Sequence, residues 1–226
     1  MEKKTKIPKV IHYCWFGDKE PPAIVAKCRK SWEILADKGY TFQKWNEENF
    51  DVNKCQFSAD AYKTRNFAFV SDYARWEILR VHGGVYFDTD VMLYRDITPL
   101  LRKYEAFGAR NTSGMFASGL VVAASAGNII VEEMAARYEH RNFLTKDGKP
   151  IYLVDVDYES AILEGFGFHP GRDEVEMVEN MAILPSDYFC ANNPQDGGEF
   201  FTRNTYAVHK FTSTWKPKFM LDAEKK

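Results

Sequence analysis

Gly83-Gly-Val-Tyr-Phe-Asp-Thr-Asp-Val-Met-Leu-Tyr94 is the stretch that decides how this chain folds. Two glycines placed to stop a helix lead into the apolar run Val85-Tyr86-Phe87. Such a run reads as a strand buried on both faces. Two carboxylates, Asp88 and Asp90, then stand two apart at its end. On extended backbone residues two apart share a side. The pair is therefore expected to crowd beside a core unless a cation holds it. A hard divalent ion, Mn²⁺ or Mg²⁺, takes oxygen ligands of this kind. On spacing alone the commoner reading of an isolated D-x-D is a solvated turn, where Asp is favoured anyway.

Two other chemistries use similar letters. An EF-hand loop beginning at Asp88 needs an oxygen ligand, Gly and Glu at its fifth, sixth and twelfth places. Here those places hold Met92, Leu93 and Pro99, which excludes it. An aspartyl-phosphate phosphatase also sets D-x-D after a buried strand, with the first Asp as nucleophile. Its pattern asks for Thr or Val where this chain has Met92, so it stays a distant alternative.

Outward from this strand, Phe67, Val70, Ala74, Ile78 and Val81 recur at helical spacing and predict a helix ending at Gly83. Towards the N-terminus, Val10–Phe16 reads as a strand and Thr41–Trp45 as another. Ile24, Cys28, Trp32 and Leu35 predict a helix between them, closed by Gly39. Towards the C-terminus, Thr98-Pro99 reads as a helix start, Leu120–Ala124 as a strand, and Asn128 as the cap of a helix to about Arg141. Tyr158–Glu164 looks helical, and Met181–Leu184 and Tyr206–His209 look like strands. Alternating strands and helices imply an α/β domain with a mostly parallel central sheet. Ligands on such sheets gather at the carboxyl ends of strands.

At 226 residues the chain is expected to form one domain. Thirty Lys and Arg face 32 Asp and Glu, a balance that leaves no broad footprint for nucleic acid. No apolar run reaches the roughly 18 residues of a membrane span, and the basic N-terminus lacks a cleavage site. Cys14, Cys28, Cys55 and Cys190 have no metal or disulfide spacing and read as reduced thiols in a cytoplasmic protein. Aromatic residues reach 15%, which suits a stacking site or a dense core equally.

Three segments together resemble the family 32 glycosyltransferases, the DxD sugar transferases. These include capsular and lipopolysaccharide transferases and, remotely, the glucosylating toxins. The segments are Ile7–Gly17, Phe69–Leu79 with Gly83–Asp90, and His209-Lys-Phe-Thr-Ser-Thr-Trp215. The resemblance runs in order from residue 7 to 215 and implies a GT-A-like fold. It implies a donor-binding part at about 7–110, an acceptor side at about 111–200 and a C-terminal metal and phosphate motif at 206–215.

The resemblance assigns the metal–diphosphate to Asp88 and Asp90, with His209 beside it. It places Trp15 against the donor base, Ser71, Asp72 and Arg75 on the donor sugar, and Tyr86 near the donor. Thr214-Trp215 falls where relatives carry Ser-Trp, with Ser213 one step earlier. Asp72 and Arg75, three apart on a helix, share a face; the plainer reading is a surface ion pair. An inward strand Tyr and a satisfied structural His are the plainer readings of Tyr86 and His209.

The implied activity is metal-dependent, retaining transfer of a hexose, with an α-linkage, in surface polysaccharide biosynthesis. The donor is a nucleotide sugar, UDP-sugar favoured over GDP-mannose, and the acceptor is a glycan or lipid-linked saccharide. No carboxylate is marked by spacing as a nucleophile, so a front-face mechanism stands beside double displacement. A non-catalytic sugar- or nucleotide-binding module would use the same residues. Arg110, Asn111, Asp155 and Asp157 are acceptor-side candidates by position only. The basic, aromatic segment 216–226 reads as a packed tail, with peripheral contact at the inner face of the cell membrane as the alternative.

Overall fold

The computed structural model describes residues 5–192 and 198–212. Chain order runs β1 (Val10–Cys14), α1 (Ala23–Ser31), β2 (Thr41–Trp45), α2 (Gln56–Lys63), α3 (Phe67–His82), β3 (Gly84–Tyr86), β4 (Val91–Leu93) and α4 (Thr98–Lys103). It continues with β5 (Ala106–Ala109), β6 (Val122–Ala124), α5 (Ile129–Glu139), α6 (Asp155–Glu164), β7 (Glu176–Val178), β8 (Met181–Leu184), α7 (Ser186–Phe189) and β9 (Ala207–His209). Seven strands form one sheet in the order β2-β1-β3-β6-β5-β8-β7. Five of them point the same way, while β6 and β7 run against their neighbours.

The strands read as continuous apolar runs because both faces are covered. Met181 and Ile183 enter one core while Ala182 and Leu184 enter the other. Tyr86 likewise faces the side of α3, whereas Val85 and Phe87 face away. Helix α3 is the central strut, buried from Asp72 to Leu79. Val70, Ala74 and Ile78 of its predicted face are buried, but Val81 is exposed because the last turn leaves the core.

Most sequence expectations hold to within a residue or two. The first helix tightens to a 3₁₀ segment from Trp32 to Lys38 before Gly39, at φ 79°, closes it. Asn128 caps α5, its side chain accepting from the backbone N–H groups of Ile130 and Val131. Helices α2 and α7 and strands β5 and β7 were not anticipated. Strand β5 hides because Gly108 interrupts its apolar pattern; a Cβ there would come within 2.4 Å of the Phe116 ring.

The DxD stretch differs from expectation. Strand β3 stops at Tyr86, and Asp88 and Asp90 sit in a tight turn in which the Val91 N–H donates to the Asp88 carbonyl at 3.1 Å. The turn is not solvated, since Asp90 is buried. Its floor is set by the small antiparallel pair β4–β9, which aligns Val91 with His209.

The start of β3 depends on a neutral imidazole. His12 Nε2 donates to the Gly83 carbonyl at 2.9 Å, and its Nδ1 accepts from Trp45 Nε1 at 3.1 Å. Gly84, at φ 112°, is required here, because a Cβ would sit 2.8 Å from His12 Nε2. Burial pushes the His12 pKa down to about 4, against a smaller upward pull from Gly83. The unfolded chain therefore takes up a proton near pH 6.5 that the folded one refuses until about 4. Stability from this group is full above pH 6.5 and is lost as pH falls towards 4. Glu159 and Asp72, whose carboxyls burial pushes up, work in the opposite direction as they become protonated. The test is thus the difference between wild type and His12→Gln, measured by denaturant unfolding. That difference is expected to shrink by on the order of 3 kcal/mol from pH 7 to pH 4. Parallel curves would show that His12 is not held neutral.

Candidate active site

The carboxyl ends of β1 and β3 open into a cleft of about 810 Å³. Trp15, Ser71, Asp72, Arg75, Tyr86, Asp88, Asp90 and His209 all line it. Trp15 near the N-terminus, the 71–90 stretch and His209 thus meet at one place.

Arg75 organises the floor. It is 2% exposed, and its Nη1 donates to Ser118 Oγ at 2.6 Å and to Asp155 Oδ2 at 2.7 Å. Its Nη2 lies 2.9 Å from Asp72 Oδ1 and 3.2 Å from Asp88 Oδ1. The surface ion pair allowed by the sequence is therefore a buried hub. Burial alone would weaken the guanidinium's hold on its proton, but Asp88 and Asp72 outweigh it and raise the pKa well above its ordinary value. Burial, then the neighbouring Asp155, pushes the Asp72 carboxyl well above the usual carboxylate range.

Tyr86 faces inward. Its hydroxyl donates to Asp88 Oδ1 at 2.9 Å, so it acts on the site by fixing that carboxylate. Asp90 is fixed from the other side: the Thr212 N–H and hydroxyl donate to its Oδ2 at 2.9 and 2.8 Å. His209 Nε2 approaches Asp90 Oδ1 at 3.1 Å and Asp88 Oδ2 at 3.8 Å. Its Nδ1 accepts from the Phe211 N–H at 3.0 Å, which leaves Nε2 facing the carboxylates. Burial would lower the His209 pKa, but the two bare carboxylates raise it to about 9; ligation of a cation at Nε2, with Nδ1 accepting, requires the neutral ring. Burial would raise Asp90, but His209 and Thr212 hold it below the carboxylate range.

Ligand atoms of Asp88, Asp90 and His209 all lie within 4.8 Å of one another. Two carboxylates and an imidazole converging on one point suit a first-row divalent cation. The nitrogen ligand favours Mn²⁺ over Mg²⁺, which is bound mainly by oxygen. The residues present therefore fit the ion expected of the D-x-D pair.

Trp15 also lines the cleft, half-buried, with its Nε1 donating to the Lys19 carbonyl at 2.8 Å, which fixes the ring plane. Ser71 donates to the Phe67 carbonyl one turn back at 3.2 Å. Thr214 and Trp215 lie outside the described residues, as does Ser213. Of the acceptor-side candidates, Asp155 faces the cleft and Asp157 is exposed. Asn111 closes a local turn, accepting from the N–H of Ser113 and Met115. Arg110 is a structural tie, fully buried against Glu176 and the carbonyls of Gly114 and His169.

Sequence reasoning missed Ser118, Gly119 and Thr212. The Ser118-Gly119 pair offered little signal, whereas Thr212 lay inside the C-terminal segment already singled out.

Residues 22–107 match the family described as glycosyltransferase sugar-binding region containing DXD motif. The segment resembles a glycosyltransferase sugar-binding region. An uncharacterized glycosyltransferase of Acanthamoeba polyphaga mimivirus is 27% identical over 231 residues, covering 95% of this chain and 86% of that protein. An inositol phosphoceramide mannosyltransferase of Schizosaccharomyces pombe is 30% identical over 107 residues. That match covers 43% of this chain and 32% of the yeast protein. Among solved structures, the PaToxG glycosyltransferase shares the fold with a TM-score of 0.50 at 14% identity, over 70% of this chain and 68% of that one. The resemblance to DxD sugar transferases and the GT-A-like α/β architecture are both borne out. The family match falls on a transferase, not on an aspartyl-phosphate phosphatase.

Gly119 explains how Asp88 can lie so close to the backbone. The Asp88 N–H donates to the Gly119 carbonyl at 3.0 Å, and a Cβ on Gly119 would stand 2.2 Å from Asp88 Oδ2. Tyr86 and Arg75 already hold that carboxylate, so an added methyl forces it off its position. Gly119→Ala is expected to weaken Mn²⁺ binding by about 10- to 100-fold in calorimetric titration while the melting temperature stays near wild type. Unchanged affinity would show that Asp88 does not need its observed orientation.

Proposed function

We propose that this glycosyltransferase is metal-dependent and retaining, moving a hexose from a nucleotide sugar, UDP-sugar first, to a glycan or lipid-linked saccharide. The observation that carries the reading is the Asp88–Asp90–His209 cluster and Trp15 lining one cleft. A ring and a cation-binding centre in one cleft match the base and the diphosphate of a nucleotide sugar.

A divalent ion bound at the cluster would neutralise the diphosphate as it leaves. Asp88 and Asp90 hold that ion with His209, and Thr212 and Tyr86 fix the carboxylates. Trp15 stacks on the base; Asp72 takes hydroxyls of the sugar, and Ser71 stands beside it. Arg75 sets Asp72 and Asp88 relative to each other, so the anomeric carbon is presented at a fixed distance from the leaving group. Asp72 and Asp155 are both engaged by Arg75, which damps them as nucleophiles and favours a front-face reaction with an α-linked product. Thr214 and Trp215, two and three residues after Thr212 in the sequence, are assigned to the phosphates and donor.

On this reading residues 7–110 bind the donor, 111–200 face the acceptor and 206–215 complete the phosphate site. The setting proposed is cytoplasmic, in surface polysaccharide assembly, and four buried unpaired cysteines accord with it. Among the described residues no helix is long and apolar enough to cross a membrane. Peripheral contact would fall to 216–226, outside the described residues. The name of the yeast relative supports a lipid-linked acceptor.

The test is turnover of UDP-hexoses with Mn²⁺. Asp88→Asn and Asp90→Asn are each expected to lower the rate by on the order of a hundredfold or more, and chelation to abolish it until Mn²⁺ is restored. Full activity in both variants would sink the metal assignment. Donor binding without turnover across a broad acceptor panel would favour the binding module.

A further inference from the structure

Asp155 lies outside the region matched by the sugar-binding family, yet it enters the same cleft, between Val154 and Val156. It opens α6, and its Oδ2 accepts from Arg75 Nη1 at 2.7 Å. The other guanidinium nitrogen, Nη2, reaches Asp88 at 3.2 Å and Asp72 at 2.9 Å. One guanidinium thus separates Asp155 from the first carboxylate of the D-x-D pair. Among the described residues the side-chain hydrogen bonds of Asp155 run to Arg75 alone, and the side chain is 22% exposed. A carboxylate has room for about four hydrogen bonds, so most of its accepting capacity remains towards the cleft.

Asp155 is also rigidly mounted. One turn further along α6, Glu159 Oε1 accepts from Trp76 Nε1 of α3 at 2.6 Å and from the Tyr138 hydroxyl of α5 at 3.0 Å. Next to it, Ser160 Oγ accepts from the Phe116 N–H at 3.0 Å. These ties fix α6 to three separate parts of the fold, which is how a binding group is held to a fraction of an ångström. Burial, and then Asp155, pushes the Glu159 pKa up to about 7.

The chemistry narrows what Asp155 meets. An anion would be repelled by a second anion, so it does not face the diphosphate. Its neighbours Val154, Val156 and Ala117 offer no hydroxyl of their own. What remains is a neutral partner rich in O–H donors, one guanidinium away from the leaving-group site. We infer that Asp155 accepts hydroxyls of the transferred sugar and, with Asp72, sets which hexose the cleft takes. This inference rests on the nucleotide-sugar reading above and assigns the specificity of that same site.

The experiment separates the sugar from the nucleotide. Calorimetric titrations in Mn²⁺ use UDP, UDP-glucose, UDP-galactose and UDP-N-acetylglucosamine, with GDP and GDP-mannose as a parallel arm. Asp155→Asn is expected to keep nucleoside-diphosphate affinity within about twofold, while the preferred nucleotide sugar loses about tenfold or more. The preference between UDP-glucose and UDP-galactose should narrow at the same time. Asp155→Glu keeps the charge but moves it by one methylene, and is expected to lose the same discrimination with a melting temperature near wild type. Equal losses for nucleoside diphosphate and nucleotide sugar would overturn the inference, since Asp155 would then act through Arg75 on the metal site. Unchanged affinities throughout would overturn it too. A wild-type protein that binds no nucleotide sugar would remove the donor reading first, whereas one that binds normally leaves the variants to decide.

Discussion

A single buried guanidinium holds this structure and its site together. Arg75 spans Asp72 on its own helix, Asp88 after β3 and Asp155 on α6, with Ser118 as a fourth partner. Three carboxylates around one cation would be unstable in a dry interior if any partner were misplaced. Removing one member of a buried pair typically costs about 3–5 kcal/mol, because the other charge is left uncompensated. The loss falls hardest on Asp72, the most buried of the three, and less on Asp88 and Asp155, whose side chains keep 30% and 22% exposure. The arrangement ties the matched sugar-binding region to α6, which lies beyond it in sequence.

The second organising constraint is the short pairing of β4 with β9. Three residue pairs bring the C-terminal segment under the D-x-D turn, and the Lys210 N–H adds a bond to the Asp90 carbonyl at 2.9 Å. Asp90 is then gripped by Thr212 on one oxygen and by His209 on the other. The geometry of this cluster is thus built by backbone pairing between segments more than a hundred residues apart. The near-neutral chain has no basic surface for an anionic ligand; on the proposed reading a cation at Asp88 and Asp90, with Arg75 beside it, would meet that charge.

What was legible in the sequence follows from range. Local signals, such as the glycines ending α3, the Asn128 cap and the three-residue spacing of Asp72 and Arg75, reported correctly because they act within one element. Spacing left the D-x-D pair either at an extended strand end or in a solvated turn; it is a turn but a buried one, since the β4–β9 pairing that covers it comes from a distant segment. Arg110 looked like a site residue by position and is a structural tie, because its partners Glu176 and His169 arrive from about 60 residues away. Asp155 was marked by position alone and Gly119 not at all, for the same reason: each matters only through a partner that the fold supplies.

The aromatic excess has a physical cause beyond stacking. Burying carboxylates around Arg75 creates acceptors that water cannot reach, and each needs a donor delivered from an otherwise apolar body. Tyr and Trp supply that combination. Trp76 and Tyr138 both donate to Glu159, and Tyr86 donates to Asp88. Away from the site, Trp45 donates to His12 and Trp32 to the Val91 carbonyl at the root of β4. These rings fill the two cores with their faces and satisfy the polar interior with their tips. The charged hub and the aromatic composition are therefore one design: an interior that carries ionised groups requires amphipathic rings to surround them. Trp15, half-buried in the cleft lining, is a ring that a ligand there could reach.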